Sequence, residues 1–122
     1  MNSLDIHMRH VEGAAVIYPG AYLNQLRGES IERCCLELLD SGVRHIVINF
    51  SETELINSIG ISILLGVIEA VNEARGTLVL ASLNPSNREL FAMLGLDAHV
   101  RIADGEEAAL SDLYRELQST AV

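Results

Sequence analysis

The chain has 122 residues, 49% of them hydrophobic, a size at which one domain buries roughly two thirds of its unfolded surface without a disulfide or a metal. Its 8 basic residues are all arginine and face 17 acidic ones, a formal net charge of −9. That balance argues against nucleic acid, which calls for a basic footprint, and against an anionic membrane surface. No run reaches the ~18 apolar residues of a membrane span, and "MNSLDIHMRHVEG" lacks the apolar centre of a signal peptide. The composition therefore reads as a soluble cytoplasmic protein with no direct membrane insertion.

"LDIHMRHV" alternates Leu4, Ile6 and Met8 with Asp5, His7 and Arg9, the pattern of a half-buried strand. "AAVIY" is a second strand, stopped by Pro19-Gly20, and the short link between the two predicts a hairpin. From about Glu29 to Ser41 the period changes. Ile31, Cys34, Cys35, Leu38 and Leu39 fall on one helix face, and Gly42 is the stop. The adjacent cysteines read as small core residues of that face: vicinal cysteines rarely pair and do not match zinc-ligand spacing.

"HIVINF" is a strand covered on both sides, and "SETEL" is a polar loop. A helix then runs from about Ser58 to Ala74. "TLVLAS" is another buried strand. Asn84-Pro85 starts a third helix, predicted to bury Leu90, Phe91 and Leu94. "HVRIA" is a short last strand. Asp104 is the expected cap of a final helix whose stripe is Leu110, Leu113, Tyr114 and Leu117. The order β-β-α-β-α-β-α-β-α predicts an α/β fold in one domain over 1–122. Its mixed sheet is mostly parallel, with an N-terminal antiparallel hairpin and about four helices.

Enzyme chemistry finds little support. His7, His10, His45 and His99 stand at no ligand spacing, so no metal is expected. Neither phosphate-binding glycine loop occurs, nor a GxSxG elbow, and the lack of lysine removes Schiff-base chemistry. Glu52/Glu54 and Glu106/Glu107 read as solvated pairs. No cofactor is expected. Asn57-Ser58-Ile59-Gly60 stands out instead. Asparagine and serine are both good N-caps, and a helix needs only one. The second is left exposed where free N–H groups and the positive end of the dipole would accept a phosphate. Gly60, in the first turn, lets another backbone approach.

These residues resemble the STAS domain in the form of the small bacterial anti-sigma factor antagonists. The resemblance runs from about Leu4 to Leu113 and is carried by "GVRHIVINF" and by "INSIGISILLGVIEAVNEARGTLVLASLNPSNRELFAMLGLD". It implies a STAS-type fold and a protein that binds an anti-sigma factor which is also a serine kinase, releasing the sigma factor and so controlling transcription. Ser58 matches the position that the kinase phosphorylates, which breaks the complex, and a serine phosphatase restores it. The family antagonist supplies the acceptor and the docking surface, not the catalysis.

Two positions depart from the family pattern. Asn57 replaces the usual aspartate before the acceptor. Leu23, with Asn24 beside it, stands where the family carries a second aspartate after the second strand. The expected partner surface comprises the turn Gly20 to Asn24, the loop Glu52 to Asn57 and the helix start, with Leu23, Asn24, Glu54, Asn57, Ser58, Ile59, Gly60, Ile61 and Ser62 as its named members. The loss of both aspartates supports an alternative: a non-switching STAS adaptor in a stress-sensing assembly or a phospholipid-transport complex. A small-ligand or nucleotide binder rests only on the free helix start.

Overall fold

The computed structural model describes residues 6–120. Leu4 and Asp5 of the first expected strand, and the Leu117 side chain, lie outside the described residues. The strands are β1 (His7–Val11), β2 (Ala14–Tyr18), β3 (Tyr22–Leu23), β4 (His45–Asn49), β5 (Leu55–Ile56), β6 (Thr77–Ala81) and β7 (Arg101–Ala103). The helices are α1 (Gln25–Asp40), α2 (Ser58–Glu73), α3 (Pro85–Met93) and α4 (Glu106–Thr120), with a short 3-10 turn at Leu96–Ala98. A five-stranded sheet has the order β1-β2-β4-β6-β7. The β1-β2 hairpin is antiparallel and every other pairing in that sheet is parallel.

Alternation along the strands assigns the two faces of this sheet. Ala15, Ile17, Ile46, Ile48, Leu78 and Leu80 point into the larger core, with Ile31, Cys35 and Leu38 of α1 and Leu64, Val67, Ile68 and Val71 of α2. Phe91 of α3 joins them and meets Phe50 edge-on, with ring centroids 6.4 Å apart. The intervening residues Ala14, Val16, Val47, Val79, Ala81 and Ala103 face the other way and are covered by Ala109 and Leu113 of α4. Three helices thus lie on one side and one on the other. Glu106, at the start of α4, fastens that helix to the sheet. Its Oε1 accepts from the Tyr18 hydroxyl at 2.5 Å and from Asn49 Nδ2 at 2.8 Å, and its carboxylate pairs with Arg9.

Several boundaries differ from the sequence expectations. Helix α1 begins at Gln25, not near Glu29, because Asn24 caps it. The residue preceding α4 is Gly105, and the Asp104 carboxylate instead accepts from Arg88 at 2.9 Å. The last strand starts at Arg101, while His99 closes the 3-10 turn. Leu94 is 53% exposed, since the chain turns at Gly95 (φ +74) and gives the buried position to Leu96. Tyr114 is also exposed. The expected loop "SETEL" ends in strand β5, which pairs with β3 in a separate two-stranded parallel sheet.

The vicinal cysteines are both free, with Cys35 buried and Cys34 half-buried against Met8. Burial, with smaller contributions from Cys34 and Glu32, pushes the Cys35 thiol up to about 12. An apolar thiol with almost no thiolate at neutral pH is inert. Alkylation of the native chain is therefore expected to label Cys34 first and Cys35 only after unfolding, as read by mass spectrometry. Leu113 is fully buried and anchors the smaller core. Leu113→Ala is expected to lower stability by about 2–5 kcal/mol in urea denaturation. A loss below ~1 kcal/mol would show that α4 does not pack on this face.

Candidate functional site

Three helices start at the same end of the molecule, and each is capped by an asparagine. Asn24 Oδ1 accepts from Arg27 N at 3.1 Å, Asn57 Oδ1 from Gly60 N at 2.7 Å, and Asn84 Oδ1 from Asn87 N at 2.8 Å. Each asparagine follows a leucine or isoleucine that ends a strand or its extension: Leu23, Ile56 and Leu83. The same recurrence in the sequence marks Asn24 as the start of α1.

Helices α1 and α2 run side by side in the same direction. Gly28 faces Ile63, and one turn further Glu32 faces Gly66. Their starts are joined by the small sheet: Tyr22 pairs with Leu55 and Leu23 with Ile56. The Leu23 carbonyl accepts from Asn57 N at 3.1 Å. A Cβ on Gly60 would lie 2.5 Å from that same oxygen, so only glycine allows α2 to approach this closely. The loop before β5 is fixed as well. Thr53 Oγ1 donates to Gly20 O at 2.6 Å, and Asn84 Nδ2 donates to Glu54 O at 3.3 Å.

On this frame Asn57 does the capping and Ser58 does not. Both ends of the Asn57 amide are engaged: Oδ1 by Gly60 N, and Nδ2 by donation to the Tyr22 hydroxyl at 3.2 Å. Ser58 is the first residue of α2 and is exposed, as are Ile59, Ser62 and Glu54. Asn24 and Asn57 are half-buried. Of the expected partner surface, Leu23 (1% exposed), Gly60 and Ile61 (8%) are buried and shape the site from beneath.

None of α1, α2 and α3 has an acidic residue in its first turn, so their positive ends are not offset there. The first N–H groups of α2 have no intrahelical acceptor, as at any helix start. Geometrically the site is a rigid, capped helix start with a hydroxyl on its rim. A cavity of about 770 Å³, lined by Arg88, His99 and Arg101 against Asp97 and Asp112, lies instead near the other end of α2. Among the described residues, no helix is long and apolar enough to cross a membrane, and no group of three or more His, Cys, Asp or Glu residues could hold a metal ion.

A mixed sheet with three helices on one face and one on the other, and a helix start displayed at the end of the strands, defines a class of small α/β domains. The chain belongs to the STAS domain family, whose model matches residues 5–109. It is 26% identical over 106 residues to BtrV of Bordetella bronchiseptica, named as a candidate anti-sigma factor antagonist, covering 87% of this chain and 91% of that one. It superposes on a candidate anti-sigma factor antagonist from Thermotoga maritima with a TM-score of 0.82 at 19% identity, covering 89% and 94% of the two chains. It also superposes on the phosphorylated form of the Bacillus cell fate determinant SpoIIAA, with a TM-score of 0.70 at 21% identity and 88% and 98% covered.

The geometry separates the two residues that could cap α2. Asn57→Ala is expected to cost about 0.5–2 kcal/mol in urea denaturation. Ser58→Ala should stay within ~0.5 kcal/mol. Gly60→Ala should cost ~1–3 kcal/mol, because the new methyl group meets backbone rather than a side chain that can move aside. A larger loss at Ser58 than at Asn57 would show that the serine is the cap.

Proposed function

We propose that this STAS domain is an anti-sigma factor antagonist of the cytoplasm. It binds an anti-sigma factor with serine-kinase activity and is released when that kinase phosphorylates Ser58. The observation that carries the proposal is the division of labour at the helix start. Asn57 completes the cap alone, which leaves Ser58 exposed with no structural duty in it. The candidate antagonist BtrV and the phosphorylated form of SpoIIAA, as relatives in sequence and in fold, support the same reading.

The physics of the switch is local. A phosphate brings about −1.5 to −2 charges. At the first residue of α2 that charge sits by free N–H groups and the positive end of the dipole, so the domain tolerates it. A partner packed on the same spot must desolvate it, which opposes binding. A serine phosphatase would return the chain to the binding state. The domain contributes acceptor and surface, and the kinase contributes the chemistry.

Incubation with the kinase and ATP, followed by mass spectrometry, is expected to place phosphate on Ser58. Phosphate found only at other residues would overturn the assignment. Ser58→Asp is expected to abolish binding of the kinase. The melting temperature should stay nearly unchanged, because an acid at this position is favoured by about 0.3–1 kcal/mol at most. Unchanged binding would favour a non-switching adaptor.

A further inference from the structure

We propose that the partner is recognised through an apolar contact. Tyr22, Leu55 and Ile59 form the centre of the docking surface, and the occupant is a protein segment with an apolar middle and a basic rim. This deepens the function proposed above and rests on its assignment of the partner to the α2 start.

Tyr22 and Leu55 are register partners in the parallel β3-β5 pair, and so share one face of it. Their neighbours Leu23 and Ile56 take the other face and are buried. The pleat therefore forces Tyr22 (42% exposed) and Leu55 (57%) outward together. The Tyr22 hydroxyl lies 3.2 Å from Asn57 Nδ2, which places its ring against the cap of α2. Ile59 (48% exposed) stands in the first turn beyond that cap. Asn57, Ser58 and Ser62 supply neutral polar groups at the same helix start.

Charge decides what fits. The patch has no ionisable group that is charged at neutral pH, although the chain as a whole carries −9. A cation pressed onto its middle would face the positive end of α2, which has no acid in its first turn. Cations are favoured only at the edge, where the exposed Glu52 and Glu54 precede β5. An apolar middle also suits the control by Ser58. A phosphate there would be buried among Ile59, Tyr22 and the partner's apolar groups with no cation to pair with it, so release needs no change of fold.

The test is calorimetric titration of the domain with the purified serine-kinase anti-sigma factor, at about 0.05 M and 0.5 M salt. Leu55→Ser and Ile59→Ser, both at exposed positions, are expected to weaken binding by tenfold or more with unchanged melting temperature. The wild-type affinity is expected to fall less than tenfold between the two salts, and Glu52→Gln with Glu54→Gln to account for most of that fall. Wild-type affinity in both serine variants would overturn the apolar contact. If Ser58→Asp abolishes binding in the same assay while those variants bind normally, the phospho-switch stands without it. The converse result keeps the docking surface and removes the switch. A wild-type chain that dimerises through this face, and becomes monomeric with Leu55→Ser, would also overturn the proposal by making a second copy the occupant.

Discussion

The carbonyl oxygen of Leu23 is the point from which the displayed end of the domain is built. It accepts the Asn57 N–H at 3.1 Å, and it stands where any side chain at residue 60 would have to be. Through this one oxygen the end of β3 is locked to the start of α2. The same step of the chain leads directly into Asn24 and the start of α1. Two helices are therefore held side by side at their first turns, and their capping asparagines come with them. A serine on such a frame has little freedom to adjust to a partner. The partner must fit the position that Leu23 dictates.

Neutral caps give this end its electrical character. Asparagine satisfies an orphan N–H as well as aspartate does but brings no charge. With three asparagines in these positions and no acid in three first turns, the helix ends keep their partial positive charge within an acidic protein. The Asn57 amide uses its second end to hold Tyr22, a contact in which the amide is the donor. A carboxylate could only accept there. An aspartate at position 57 would therefore place a negative charge beside Ser58 and would have to accept from the tyrosine hydroxyl.

Much of this was legible in the residues. The long elements announce themselves by period, so the hairpin, the central strands and α2 appear where expected. The mostly parallel sheet follows from their alternation. The Asn-Ser pair also said that one residue was surplus to capping, although only geometry assigns the cap to Asn57. What escaped did so for physical reasons. Strands β3 and β5 have two residues each, too few for any alternation to show. The apolar period of α1 shows only from Ile31 onward, so its first turn, where Gly28 meets Ile63 and Asn24 caps the helix, carries no stripe to read. Leu23 was read as surface because equal spacing put it at a family aspartate, but the pleat of β3 turns it inward and turns Tyr22 out. Leu94 lost its buried place to a change of backbone direction that its helical spacing could not reveal.

The fastening of α4 has a consequence for the order in which the molecule can form. Glu106 bonds Tyr18 across 88 residues and Asn49 across 57. The larger core draws mostly on elements that follow one another from β2 to α3. The smaller one has no cover until the last helix arrives. During synthesis the face formed by Val16, Val47 and Val79 stays open until the chain has been made past Leu113. Contacts of such sequence separation form late because their loop must close first. Nascent chains therefore carry an apolar sheet face that only the C-terminal helix can hide, and the hazard of mispairing is concentrated in that interval.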